Sequence, residues 1–284
     1  MGFFGSLRQG WAFMKEAFAM AKADRTLLKP SVYSVAVGIL YWIAWIAIII
    51  GTDVDFETTG GQVMGALATF GSFLIFYFFM GMTVNMVDVY VKGGKPSVGE
   101  AFRDAKQNFI AIVFLAIVST LVELFAKAAR RNARENGGAA IIFSILAGIV
   151  EAIWTVVSYL LLPAIIIEDA SFSDALKRVR EISKGNYLMI GIGEIGVRMV
   201  TNLLGFVVCL LLFGVLYFSF DVIGGTAGTV LGIGVGGTIL CLFMAFASYL
   251  RMAYYTCLYI WASDVKDKGP NAPAPLPLAR VMNR

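Results

Sequence analysis

Histidine is absent from this 284-residue chain, and acidic and basic residues together make up only 15% of it. The first absence removes the commonest general base, metal ligand and neutral-pH switch. The second excludes an ordinary soluble domain, where about 25% of residues carry charge. Cysteine is scarce too: Cys209, Cys241 and Cys257 all fall inside apolar runs. There they behave as small hydrophobes, with neither a disulfide framework nor a metal spacing. No G-x-S-x-G, no P-loop and no paired carboxylates on a soluble face occur, and the hydrophilic loops are too short to hold a pocket. The chain is therefore read as no enzyme, with no catalytic residue, no cofactor and no metal.

What is present is hydrophobic: 59% of residues, with a mean hydropathy of +0.79. About 20 apolar residues cross a bilayer. Charge-poor runs of that length occupy residues 30–51, 62–91, 108–128, 139–167, 186–220 and 224–263. This predicts an all-α, polytopic membrane protein of six transmembrane helices. The last two runs exceed the roughly 30 Å of hydrocarbon and must tilt, project or break. No cleavable signal precedes the first span, because residues 6–29 are charged and amphipathic.

Between spans four and five the chain reads Leu162-Pro163, then Glu168-Asp169-Ala170-Ser171, then a short amphipathic segment. Ser171 and Asp174 have capping-box spacing, with the acid able to reach back to the cap's own N–H. Ala175, Leu176, Val179 and Ile182 form one side, and Lys177, Arg178, Arg180 and Lys184 the rest. That pattern predicts an interfacial helix with its apolar side toward acyl chains and its cations toward lipid phosphates. Ser97 and Ser6 open two similar segments. From each Ser, a Gln or acid stands at +3 (Gln9, Glu100, Asp174) and a small residue at +4 (Gly10, Ala101, Ala175). A large apolar residue follows at +5 (Trp11, Phe102, Leu176) and a base at +9 (Lys15, Lys106, Arg180). The chain is thus read as one membrane domain, 1–268, of three repeats: about 3–95, 96–169 and 170–268. Each repeat is a surface helix followed by a transmembrane hairpin. Residues 269–284 are Pro-rich and expected to be a disordered cytoplasmic tail.

Seventeen of the 23 Lys and Arg residues fall on the side of the termini and short helices, which predicts that this side is cytoplasmic. The basic loop 127–134 (Lys127, Arg130, Arg131, Arg134) runs against that assignment. Lys15, Lys106, Lys177, Arg178 and Arg180 are candidate contacts for anionic lipid headgroups, not nucleic acid. Gly224, Gly228, Gly232 and Gly236 make a bare stripe for close helix packing, within the chain or between chains. The G-x-G-x-x-G at 191–196 follows no strand and lies within a span, so it is not read as a nucleotide site.

Ionisable groups inside spans are costly and mark candidate sites. Glu123 and Glu151 lie in spans three and four, below the basic loop. Glu194, Arg198 and Asn202 follow one another at one-turn intervals in span five, and Arg251 lies in span six. Their spacing predicts a buried pair of Glu194 with Arg251 or Arg198.

The segment 159–187, with Leu162-Pro163, Glu168, Ala175-Leu176-Lys177-Arg178 and Lys184-Gly185-Asn186-Tyr187, resembles a pattern in bacterial and archaeal multi-pass proteins. That group carries only a domain-of-unknown-function label. It is similar in style to the membrane domain attached to some glycerophosphodiester phosphodiesterases. Leu7-Arg8-Gln9-Gly10-Trp11, continuing to Asp24-Arg25-Thr26-Leu27-Leu28-Lys29-Pro30-Ser31, resembles the same group. The resemblance implies a six-helix prokaryotic membrane protein and carries over no catalytic residue. Three surface-helix hairpins also suit mitochondrial carriers, but Pro163 lacks the P-x-[DE]-x-x-[KR] order that follows it there. The expected function is a scaffold or accessory subunit in a prokaryotic cytoplasmic membrane. It would engage lipid and a protein partner or a second copy of itself. The alternative is a small transporter or channel lined by Glu123, Glu151, Glu194 and Arg251.

Overall fold

A computed structural model describes residues 3–52, 54–56, 58–136, 139–184, 187–269, 272–275 and 277–279. The side chains of residues 3–7, 9, 136, 139–140 and 187–196 lie outside that description. The described residues are helical, without a strand: α1 Phe3–Ala23, α2 Lys29–Thr52, α3 Thr59–Val91, α4 Val98–Gln107, α5 Phe109–Asn136, α6 Ala139–Ile167, α7 Phe172–Ser183, α8 Tyr187–Tyr217 and α9 Gly225–Lys268. A 3-10 turn, Arg25–Leu28, leads into α2, and a π-helical turn, Phe218–Ile223, joins α8 to α9. Six helices (α2, α3, α5, α6, α8 and α9) are long and apolar enough to cross a membrane. The architecture is all-α and of the multi-pass membrane type.

The core sits at one end of this bundle. Buried residues fill the last part of α3 (Tyr77 to Val87), the first part of α5 (Ile112, Leu115, Ala116) and the end of α6 (Leu160 to Ile166). In α9 they run from Tyr249 to Ala262. The opposite halves present apolar side chains outward, among them Ile43, Phe125, Ile145, Leu211 and Ile233. This division explains the length of α9. Its 44 residues extend about 66 Å, twice the hydrocarbon thickness. The helix neither breaks nor needs lipid along its whole length, because its second half is sheathed in protein.

The three short helices complete that sheath, which corrects the expectation of acyl-facing surface helices. In α7, Ala175, Val179 and Ile182 are buried, and the helix packs on α5, α6 and α9. In α4, Ala101 and Ala105 are buried against α3 and α5. In α1, Phe13, Ala17, Met20 and Ala21 are buried, and the helix lies along α8 with α9 beside it. Phe13 meets Tyr254 edge-on with ring centroids 5.1 Å apart, and the Tyr249 hydroxyl donates to the Ala17 carbonyl at 3.1 Å. A stripe at i, i+4, i+7 is apolar whether it meets lipid or protein. Here the small residues allow close approach to neighbouring helices.

Capping follows the sequence in two of three cases. The Ser171 oxygen accepts from the Asp174 amide at 3.3 Å, but the Asp174 carboxylate takes the Ser171 hydroxyl at 2.6 Å rather than the cap's amide. Ser97 accepts from the Glu100 amide at 3.5 Å. α1 begins at Phe3, so Ser6 lies within the helix and not at its start. The turn from α6 to α7 is closed by Asp169 at φ 49°, with the Ala170 amide donating to the Ile165 carbonyl. Asp tolerates this left-handed conformation, and Asn108 holds its carboxylate at 2.9 Å. At the other end of the chain, Leu278 is buried in the core.

The glycine stripe packs within the chain. Gly228, Gly232 and Gly236 are buried; a Cβ on Gly228 would strike the Ser219 carbonyl oxygen, and one on Gly232 would come 3.1 Å from Ser219 Cβ. The π-helical turn and the end of α8 thus lie directly on α9. Gly224 stands apart from the other three, at φ 67° in the turn before α9.

Candidate functional site: a polar pocket between α3, α5 and α6

α3, α5 and α6 pack pairwise, and between them lies a cavity of about 200 Å³. Its lining includes Tyr77, Ser119, Glu123, Glu151, Trp154 and Tyr159. Ser119 is the hub. Trp154 donates its indole N–H to the Ser119 oxygen at 2.9 Å, and the Tyr77 hydroxyl lies 2.8 Å from the same oxygen. Tyr77 and Ser119 are both buried, so this small network satisfies polar groups where water is scarce. Thr155 and Ser158 turn their hydroxyls back to helix carbonyls, on Glu151 and Thr155 respectively.

Both acids line this pocket, and each is paired. Arg130 meets Glu151 at 2.6 Å across the α5–α6 hairpin, and Lys127 meets Glu123 at 3.2 Å one turn along α5. Residues 127–134 are not a loop, as expected above, but the last turns of α5. Alanines at 126, 128, 129 and 133 and the i,i+4 pairs Glu123–Lys127 and Arg131–Glu135 favour helix there. Arg251 contacts the pocket through Tyr159, one of its lining residues. Its guanidinium donates to the Tyr159 hydroxyl at 3.1 Å and stands 5.6 Å from the centre of that ring. Tyr159 in turn stacks on Tyr255, 4.9 Å away.

Glu123, Glu151 and Arg251 are thus brought to one region of the fold. Arg198 and Asn202 are exposed on α8 and do not join it. The Glu194 side chain, and with it the expected pair with Arg251 or Arg198, lies outside the described residues. A search for charge finds Glu123 and Glu151 but passes over Tyr77, Ser119 and Trp154. Only their clustering as polar groups within apolar runs would have signalled them.

A second constellation lies at the packed end. Arg178 donates to Glu168 at 3.0 Å, to Ser263 at 2.7 Å and to Asp267 at 2.6 and 3.3 Å. Tyr259 donates to the same Glu168 oxygen at 2.6 Å, and Lys266 pairs with Glu181. The Asp267 hydrogen bonds, followed by those of Glu168, raise Arg178 above its ordinary pKa against the cost of burial. Arg178 is therefore an internal clamp joining α6, α7 and α9, not a headgroup base. Lys177 pairs with Asp174 at 3.0 Å; Lys15, Lys106 and Arg180 are exposed.

Fold and site define a class: an all-helical protein of the multi-pass membrane type, with a small polar pocket inside its helices and an ionic clamp at its packed end. Residues 62–269 match the model of DUF6159, a family of unknown function, and the chain belongs to that family. No curated protein matches it.

Proposed function

We propose that the chain is a non-enzymatic scaffold or accessory subunit of a prokaryotic cytoplasmic membrane. Its termini and short helices lie on the cytoplasmic side, where it engages anionic lipid and a protein partner or a second copy of itself. The similarity in style to the membrane domain of some glycerophosphodiester phosphodiesterases belongs to the same proposal. One observation carries it: the acids at the pocket, Glu151 and Glu123, are held by Arg130 and Lys127. An acid on a transport path must change partners during a cycle; the Arg130–Glu151 pair instead ties α5 to α6. The excess of Lys and Arg on one side supports the orientation.

A small transporter is the second reading, favoured by the cavity itself, because its polar lining lies within apolar helices. Proteoliposomes carrying a trapped pH dye separate the two. Under the scaffold reading, Glu151→Gln lowers the apparent Tm, and neither it nor the parent protein passes protons in response to an imposed gradient. Proton flux in the parent that Glu151→Gln abolishes would establish the transporter instead. Topology has its own check. Single cysteines at Lys106 and Arg180, in a chain lacking Cys209, Cys241 and Cys257, should react with an impermeant maleimide from the same, cytoplasmic side. Labelling from opposite sides would remove the basis of the proposal.

A further inference from the structure

An apolar groove of about 400 Å³ runs between α1, α8 and α9. Its walls include Phe18 from α1, Leu204 and Val208 from α8, and Phe243 and Phe246 from α9, with Lys15 at the mouth. Phe18 and Phe246 close one end edge-on, with centroids 6.2 Å apart. Lys15 is exposed, and its ammonium stands 6.0 Å from the ring centre of Trp11, itself 42% exposed. The groove lies where α9 changes character. Leu240, Leu242 and Met244 face outward and apolar, whereas most residues from Tyr249 to Ala262 are buried. An indole and a lysine on neighbouring turns favour the zone where apolar contact gives way to polar headgroups.

We propose that this groove is a binding site for one anionic phospholipid, with an acyl chain along Phe243 and Val208 and the phosphate on Lys15. This rests on the lipid-engaging reading above and narrows it to one site. Charge complementarity selects the occupant. Among the described lining residues the walls are apolar and Lys15 is the one cation, a pairing that suits a lipid's acyl chain and phosphate. The equivalent outward residues on the other short helices, Phe102 with Lys106 and Leu176 with Arg180, are exposed too. They serve as internal comparisons.

Native mass spectrometry of the full chain in detergent, supplied with phosphatidylglycerol, phosphatidylcholine or oleate, tests the site. One phosphatidylglycerol should be retained in preference to phosphatidylcholine. Lys15→Gln should weaken its retention about fivefold, the effect of one surface cation on an anionic lipid. Val208→Phe, which fills the groove and leaves Lys15 in place, should remove the bound lipid. Lys106→Gln and Arg180→Gln should change little. Size-exclusion profiles establish that each variant is folded. Retention unchanged in both Lys15→Gln and Val208→Phe overturns the site, as does a loss shared equally by Lys15, Lys106 and Arg180, which would mean diffuse attraction. Preferential retention of oleate over phosphatidylglycerol overturns the assigned occupant. No preference for phosphatidylglycerol over phosphatidylcholine in any form sinks the lipid-engaging reading along with the site.

Discussion

Arg178 on α7 lies 2.6 Å from Asp267 at the end of α9, 89 residues further along the chain. The same guanidinium reaches Glu168 in the turn where α6 ends. One side chain therefore ties the exit of the fourth long helix to the last turn of the sixth. Planar, multi-donor geometry of this kind belongs to arginine. Removing it leaves two acids facing each other without their cation. Arg178→Ala should cost about 2 kcal/mol, read as a fall of several degrees in apparent Tm. Arg178→Lys should recover only part of the loss, because an ammonium cannot serve Glu168, Ser263 and Asp267 together. Full recovery by lysine would show that charge alone matters there.

Groups around α4 and α7 give stability a pH dependence of two opposite signs. The hydrogen bond from Ser171, with Lys177 beside it, holds Asp174 below the usual carboxylate range, and Lys266 does the same for Glu181. A depressed folded-state pKa contributes stability that is present above the unfolded value, near 4. That stability is lost as pH falls through the folded value. Burial pushes Asp104 the other way, opposed by the Asn85 hydrogen bond. Its contribution favours the fold below the unfolded pKa and is lost as pH rises through the folded one. Glu181→Gln should therefore lower the apparent Tm at about pH 7 and match the parent protein at about pH 3. Asp104→Asn should be the more stable form at about pH 7 and lose its advantage in acid. A pH series of melting curves on the three proteins checks both signs.

Gly228 and Gly234 form a matched pair on the two sides of α9. A Cβ on Gly228 meets the Ser219 carbonyl, whereas one on Gly234 meets nothing within 4 Å. Gly228→Ala should push the π-helical turn away and destabilise by about 2–3 kcal/mol. Gly234→Ala should be neutral or raise stability by up to about 1 kcal/mol through helix propensity. Equal effects at both positions would argue against the tight α8–α9 approach.

Ser119→Ala removes the oxygen that Trp154 donates to and that Tyr77 faces. The Trp154 indole N–H and the buried Tyr77 hydroxyl then lose a partner, at a cost of about 1–3 kcal/mol. The same change made in Trp154→Phe should cost less, because one stranded donor is already gone. Additive losses in this double-mutant cycle would show that the network does not act as a unit.

Much of the fold was legible in the chain. Apolar runs marked all six long helices, since a bilayer-length stretch without charge has few other uses. Ser97 and Ser171 marked two helix starts through cap chemistry that is local. Glu123 and Glu151 stood out because carboxylates are rare in such runs. Ser119, Tyr77 and Trp154 did not, because neutral polar residues occur in apolar helices without functional meaning. Their convergence joins positions 42 and 35 residues apart.

The sequence by itself determined what repeats within a few residues: helical periodicity, caps and the lengths of the apolar helices. The tertiary structure alone decided what each face meets. An apolar stripe such as Ala175, Val179 and Ile182 satisfies lipid and protein equally, so its burial under α5, α6 and α9 depends on where those helices lie. Likewise a cation takes the nearest acid in space. For Arg178 that acid is Asp267 on α9, a partner no local pattern can name.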